Sequence, residues 1–99
     1  MKKIMDMIAR LDDEIESAEN YAECSIEYKV KGNTGWQNRM HEASMDELKH
    51  AGWVHEEIVT TIDELSKVYV PPVEMQEIWD ERHKNYVQKV AWIKQMLSM

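Results

Sequence analysis

The chain has 99 residues, 43% of them hydrophobic, and its 19 acidic side chains against 12 basic ones leave a net charge of −7. That length suits one domain, 1–99, with no room for a second core, and the acidic balance disfavours direct contact with nucleic-acid phosphates. A single cysteine, Cys24, excludes an intrachain disulfide, no apolar run approaches the ~20 residues of a membrane span, and Asp6, Arg10, Asp12 and Asp13 break any signal-peptide core, so we expect a soluble, cytoplasmic protein.

From about residue 3 to 31, Ile4, Ile8, Leu11, Ile15, Ala18, Ala22, Ile26 and Val30 keep helical spacing with no breaker between them. Gly32 is placed to end this helix in the left-handed conformation. Thr34-Gly35-Trp36-Gln37 then reads as a capping box, with Thr34 as N-cap and Gln37 reaching back. So short a connection makes the next helix antiparallel to the first.

The second helix is expected over about 36–69. Met40, Ala43, Ala51, Val54, Ile58, Ile62 and Leu65 form its apolar stripe. Glu47 falls on that stripe, four residues from Ala43 and four from Ala51, where a hydrophobe is expected. A carboxylate on a dry seam costs several kcal/mol unless it is paired, neutralised or bound to a cation. His50 lies three residues on, on the same side, and Glu-x-x-His on an inward face is how helix bundles hold iron or manganese. Gly52 and the run Val59-Thr60-Thr61-Ile62 weaken this helix locally. Pro71 stops it, and Pro72 opens a third helix over about 72–98, carrying Met75, Trp79, His83, Tyr86, Val90, Ile93 and Leu97 on one side.

A metal at Glu47 and His50 needs a carboxylate from the first helix. With the turn centred between Asn33 and Thr34, residue i sits opposite roughly 67 − i, which puts Glu47 level with position 20 and His50 level with position 17. Glu19 is the nearest acid to the first level and borders the apolar stripe beside Ile15 and Ala22. Glu16 suits the second level but has acidic neighbours and points outward. Glu14 borders the stripe from the other side, next to Leu11, Ala18 and Tyr21. We take Glu19 first and Glu14 second, so the candidate ligands are Glu19, Glu47 and His50. Oxygen ligands with one histidine suit iron or manganese better than structural zinc. The set is incomplete on one hairpin, and a second hairpin on a twofold axis would double it to a di-iron site.

These residues carry a resemblance. The chain resembles a half-length member of the ferritin-like superfamily, similar to encapsulated ferritins and rubrerythrin-type di-iron proteins, in which a Glu on one helix is followed on the next by Glu-x-x-His. Glu19 or Glu14 with Glu47-Leu48-Lys49-His50 is that pattern, and Glu14 with Tyr21 also keeps a Glu-x6-Tyr spacing. The resemblance implies an all-α fold, an antiparallel hairpin plus a third helix that pairs into a four-helix bundle across a homodimer or larger ring. It also implies iron bound and oxidised at a site shared between two subunits, a ferroxidase-type oxidoreductase.

Other readings of the same residues stand beside it. Glu47 also reads as a seam residue paired with Arg39 or Lys49. His41 and His55 read as exposed, His83 as a core histidine, and Tyr21, Tyr28, Trp53 and Trp79 as packing aromatics. Without metal, the chain would be a small acidic helical interaction module, an adaptor or inhibitor, using its Met-rich stripes as the binding surface.

Overall fold

A computed structural model describes residues 2–99, and among them all regular structure is helical. Three helices follow in order: α1 over Lys2–Val30, α2 over Thr34–Ser66 and α3 over Val73–Leu97. They lie side by side in a body of 55 × 18 × 17 Å, about the length of the 33-residue α2 at ~1.5 Å per residue. No helix among the described residues is long and apolar enough to cross a membrane.

The α1–α2 connection is three residues long and closes as the composition requires. Gly32 takes φ +75°, the only positive φ among the described residues, and the Gly32 and Asn33 amides bond back to the Lys29 and Tyr28 carbonyls. The N-cap of α2 is Asn33, not Thr34: the Asn33 side-chain oxygen accepts from the Trp36 amide at 3.2 Å. An Asn side chain is as good a cap as Thr, and moving the cap back one residue brings Thr34 into the helix. At the other end α2 stops at Ser66, three residues before Tyr69. The Lys67 amide bonds to Glu64 and Leu65 carbonyls as the helix unwinds, and the Val68 and Tyr69 amides also turn back to the Leu65 carbonyl before Pro71. Pro72 flanks α3 with ψ 142° instead of forming its first turn. The weak residues within α2 do not interrupt it.

The core runs along α1. Ile4, Ile8, Leu11, Ala18 and Ala22 are all but fully buried, against Ala51, Val54 and Ile58 from α2 and Met75, Trp79, Ile93 and Met96 from α3. Small residues let α1 and α2 approach closely. Ser44 is fully buried and donates to the Ala18 carbonyl at 2.7 Å, and Ser25 reaches the Gln37 carbonyl at 3.3 Å. The inward line of α2 is therefore Ser44, Leu48, Ala51, His55, Ile58 and Ile62, in alternating steps of four and three: Ser44, Ala51 and Ile58 are buried, with Val54 beside them, and Leu48, His55 and Ile62 are half-buried. Ala43 and Glu47 lie at its edge.

Helix α3 runs parallel to α1 in a constant register. Arg82 bonds to Asp12 at 2.9 Å and Lys89 to Glu19 at 2.9 and 3.1 Å, and Lys29 reaches the Met99 carbonyl. Each pair is 70 residues apart. Its predicted inward side, from Met75 to Leu97, is the one that is buried or half-buried.

Candidate metal centre

The hairpin register decides which acid of α1 stands beside Glu47. The two serine bonds across the α1–α2 seam set residue i opposite roughly 62 − i, about five residues from the level expected with the turn centred between Asn33 and Thr34. Position 48 then faces position 14, and Glu14 meets both Glu47 and His50. His50 Nδ1 lies 3.8 Å from Glu14 Oε2 and 3.7 Å from Glu47 Oε1. One ligand atom from each of the three residues falls within 4.8 Å of the others, the one such cluster of His, Cys, Asp or Glu among the described residues.

Glu19 is not in this group. It lies on the α3 side of α1, where its two oxygens accept from Lys89. Glu14 is two residues from Asp12, so ~100° per residue places it about 200° around α1 from Asp12's bond to Arg82. Periodicity shows that both acids border the stripe; it does not show that α3 claims one border. Glu16 is exposed, as its acidic neighbours suggest. Glu47 is half-buried with 24% of its side chain exposed, so the seam edge costs it less than a fully dry position would. Arg39, one expected partner for Glu47, instead sits over the Trp36 ring at 4.8 Å.

The electrostatics of the cluster are those of two carboxyl groups forced together. A hydrogen bond to Glu47, then burial, then the charge of Glu47 raise the Glu14 pKa above its ordinary value, against smaller opposing effects of His50 and Arg10. A pair so close favours holding a proton between its members. A divalent cation would relieve the same repulsion. Two ligands about 2.1 Å from one ion lie no more than about 4.2 Å apart, and both imidazole–carboxylate distances fall inside that limit. The donor set therefore fits a hard or borderline cation.

The face around the cluster is open and partly apolar. The Trp53 ring stands 5.4 Å from that of His50 and is 61% exposed, and Tyr21, seven residues from Glu14 on the same face, is 37% exposed. Trp53 was expected to be a packing residue and is not one within this chain. Comparison of the chain with protein-family models, with curated proteins and with solved structures finds no match.

Two of the remaining histidines, His41 and His55, depart from the expectation that they are exposed. His55 is not exposed: its Nε2 is buried with no hydrogen-bond partner, and its ring stacks on those of His83 and Tyr86 with centroids at 5.0 and 4.7 Å. His41 is half-buried, with Nε2 3.1 Å from the Leu97 carbonyl. His83 is half-buried among aromatics as expected, and Asp80, three residues before it, accepts from Gln76. The signal for Ser44 and His55 was in the sequence, since both continue the four-three steps of the α2 seam; their polarity hid it.

Proposed function

We propose that this protein is a ferritin-like di-iron protein whose half-site is Glu14, Glu47 and His50, completed by the same three residues of a second copy. The observation that carries the reading is the convergence of those three ligands within 4.8 Å. Their order, one Glu on α1 followed by Glu-x-x-His on α2, supports it, and so does the Glu14–Tyr21 spacing. The cluster lies on the α1–α2 face that α3 leaves open, where a second hairpin would close a four-helix bundle. Two carboxylates and one imidazole leave coordination positions free, and a twofold copy supplies four carboxylates and two imidazoles. When bound, a pair of iron ions supplies one-electron chemistry toward dioxygen or peroxide. Manganese would suit the same oxygen-rich donors. In this arrangement Glu14 and Glu47 supply the negative charge, His50 the nitrogen donor, and Trp53 with Tyr21 the rim that excludes water once the second copy docks.

Anaerobic Fe(II) titration followed by melting temperature tests the assignment. Wild type should be stabilised by about 2.7 kcal/mol at a hundredfold excess over the dissociation constant. Glu14→Ala, Glu47→Ala and His50→Ala should lose that gain, and Glu19→Ala should keep it. No iron-dependent shift in wild type would end the di-iron reading. The same exposed Trp53 and Tyr21 would then favour the metal-free interaction module, with this face as its docking surface.

A further inference from the structure

Where α2 meets α3, His55 sits in a cluster of aromatic rings. His55 from α2 lies against Trp79, His83 and Tyr86 from α3, with ring centroids 5.7, 5.0 and 4.7 Å away. Two features set this layer apart from ordinary packing. The His55 Nε2 is buried without any hydrogen-bond partner, and a second imidazole occupies the facing position at stacking distance.

We propose that the His55–His83 contact is an acid-sensitive latch: with both rings neutral it closes the bundle, and protonation releases α3 from the α1–α2 hairpin. A proton on either ring places a charge in a layer that offers His55 Nε2 no acceptor, and protons on both place like charges face to face. The neighbouring charges do not answer them. From α1, Arg10 is bonded to Glu57 of α2 and Asp12 to Arg82 of α3, while Glu14 is turned to the opposite side with Glu47 and His50. From α3, Asp80 is held by Gln76, and Tyr86 contributes a phenol that stays neutral, its pKa raised by burial. The face of an aromatic ring attracts a cation, but the balance runs the other way: burial first, and the charge of His83 second, lower the His55 pKa below its ordinary value.

The sign follows. A histidine whose folded pKa is depressed contributes its full stability above the unfolded value of about 6.5, and that stability is lost as pH falls toward the folded pKa. The two carboxyl groups with resolved shifts do not imitate this. Asp12 and Glu14 have raised values, so acid favours the fold through them.

An NMR titration of the whole chain from pH 7.5 to 5 tests the latch, following the histidine rings, the Trp79 indole and the backbone amides of α3. In wild type, His55 should titrate below the ordinary histidine range. The α3 amides should lose protection in step with it, by up to about tenfold per pH unit, while those of the α1–α2 hairpin hold. His55→Leu keeps the volume and removes the orphaned nitrogen, and α3 should then stay docked across the range. An α3 that keeps its protection to pH 5 in wild type, or loses it at the same pH in His55→Leu, would overturn the proposal. Should that variant fail to fold, the wild-type titration still decides, because a His55 that titrates at or above the ordinary value leaves no latch to open.

Discussion

Glu14 is the residue on which the candidate site turns, and its protonation gives a direct test. Its pKa is raised, chiefly by the hydrogen bond to Glu47, so the fold holds the proton more tightly than the unfolded chain does. The stability this brings is complete below the ordinary carboxylate value and is lost as pH rises through the folded pKa. At pH 7 the metal-free protein therefore carries an unrelieved repulsion. Glu14→Gln should raise the metal-free melting point at pH 7 by the equivalent of less than about 1 kcal/mol, the scale of partly exposed charge pairs. The gain should vanish below about pH 4.5, and the variant should gain little from iron. A scan of both proteins at pH 4 and 7 checks it: a variant less stable than wild type at pH 7 would mean that Glu14 serves the fold and not a ligand. Ser44 makes the complementary case, a buried hydroxyl that donates to Ala18. Ser44→Ala removes the donor and leaves the Ala18 carbonyl its helical partner, so thermal denaturation should register a loss of only about 0.5–1.5 kcal/mol.

Among the elements, the three-residue connection sets the hairpin register and through it the site. Asn33 caps α2 and Gly32 ends α1 with φ +75°. Asn33→Ala should cost about 1 kcal/mol, roughly 4–8 °C in a chain of this size, whereas Thr34→Ala should be nearly silent. Reversed magnitudes would restore Thr34 as the cap. Gly32→Ala meets no atom within 4 Å of its added Cβ, so any loss there measures the left-handed backbone alone, again about 1 kcal/mol. Helix α3 is fastened to α1 by Arg82–Asp12 and Lys89–Glu19, half-exposed pairs worth little singly. Its docking rests instead on Met75, Trp79, Ile93 and Met96, together with the aromatic layer at His55.

At the scale of the whole molecule, the three helices form a body 17–18 Å across, with α3 bound along the Asp12–Glu19 side of α1. Trp53 and Tyr21 are exposed on the hairpin near the candidate cluster of Glu14, Glu47 and His50. Light scattering at ~100 µM, a generous limit for weak association, should give a dimer or larger ring. Trp53→Asp should shift it toward monomer and weaken iron binding together with assembly. A wild-type monomer at that concentration, with or without iron, would remove the shared centre.

Much of this protein was legible from its residues alone. The spacing of apolar side chains along three uninterrupted stretches, Gly32 in a tight connection and one Pro-Pro break dictate three helices and an antiparallel hairpin, because helix periodicity and backbone freedom are local properties. The inward side of α3 and the pairing of Glu47 with His50 follow from the same periodicity. What stands opposite them does not. Register across a hairpin depends on where the turn closes and on which small side chains, Ser44, Ala18 and Ser25, let the helices approach. The few residues between the two possible levels separate Glu14 from Glu19. Only the tertiary structure showed that α3 lies against the Glu19 side of α1, binding it through Lys89, and that His55 stacks on His83 and Tyr86 of α3. Both are decided by packing between elements distant in the chain, which one-dimensional spacing does not encode.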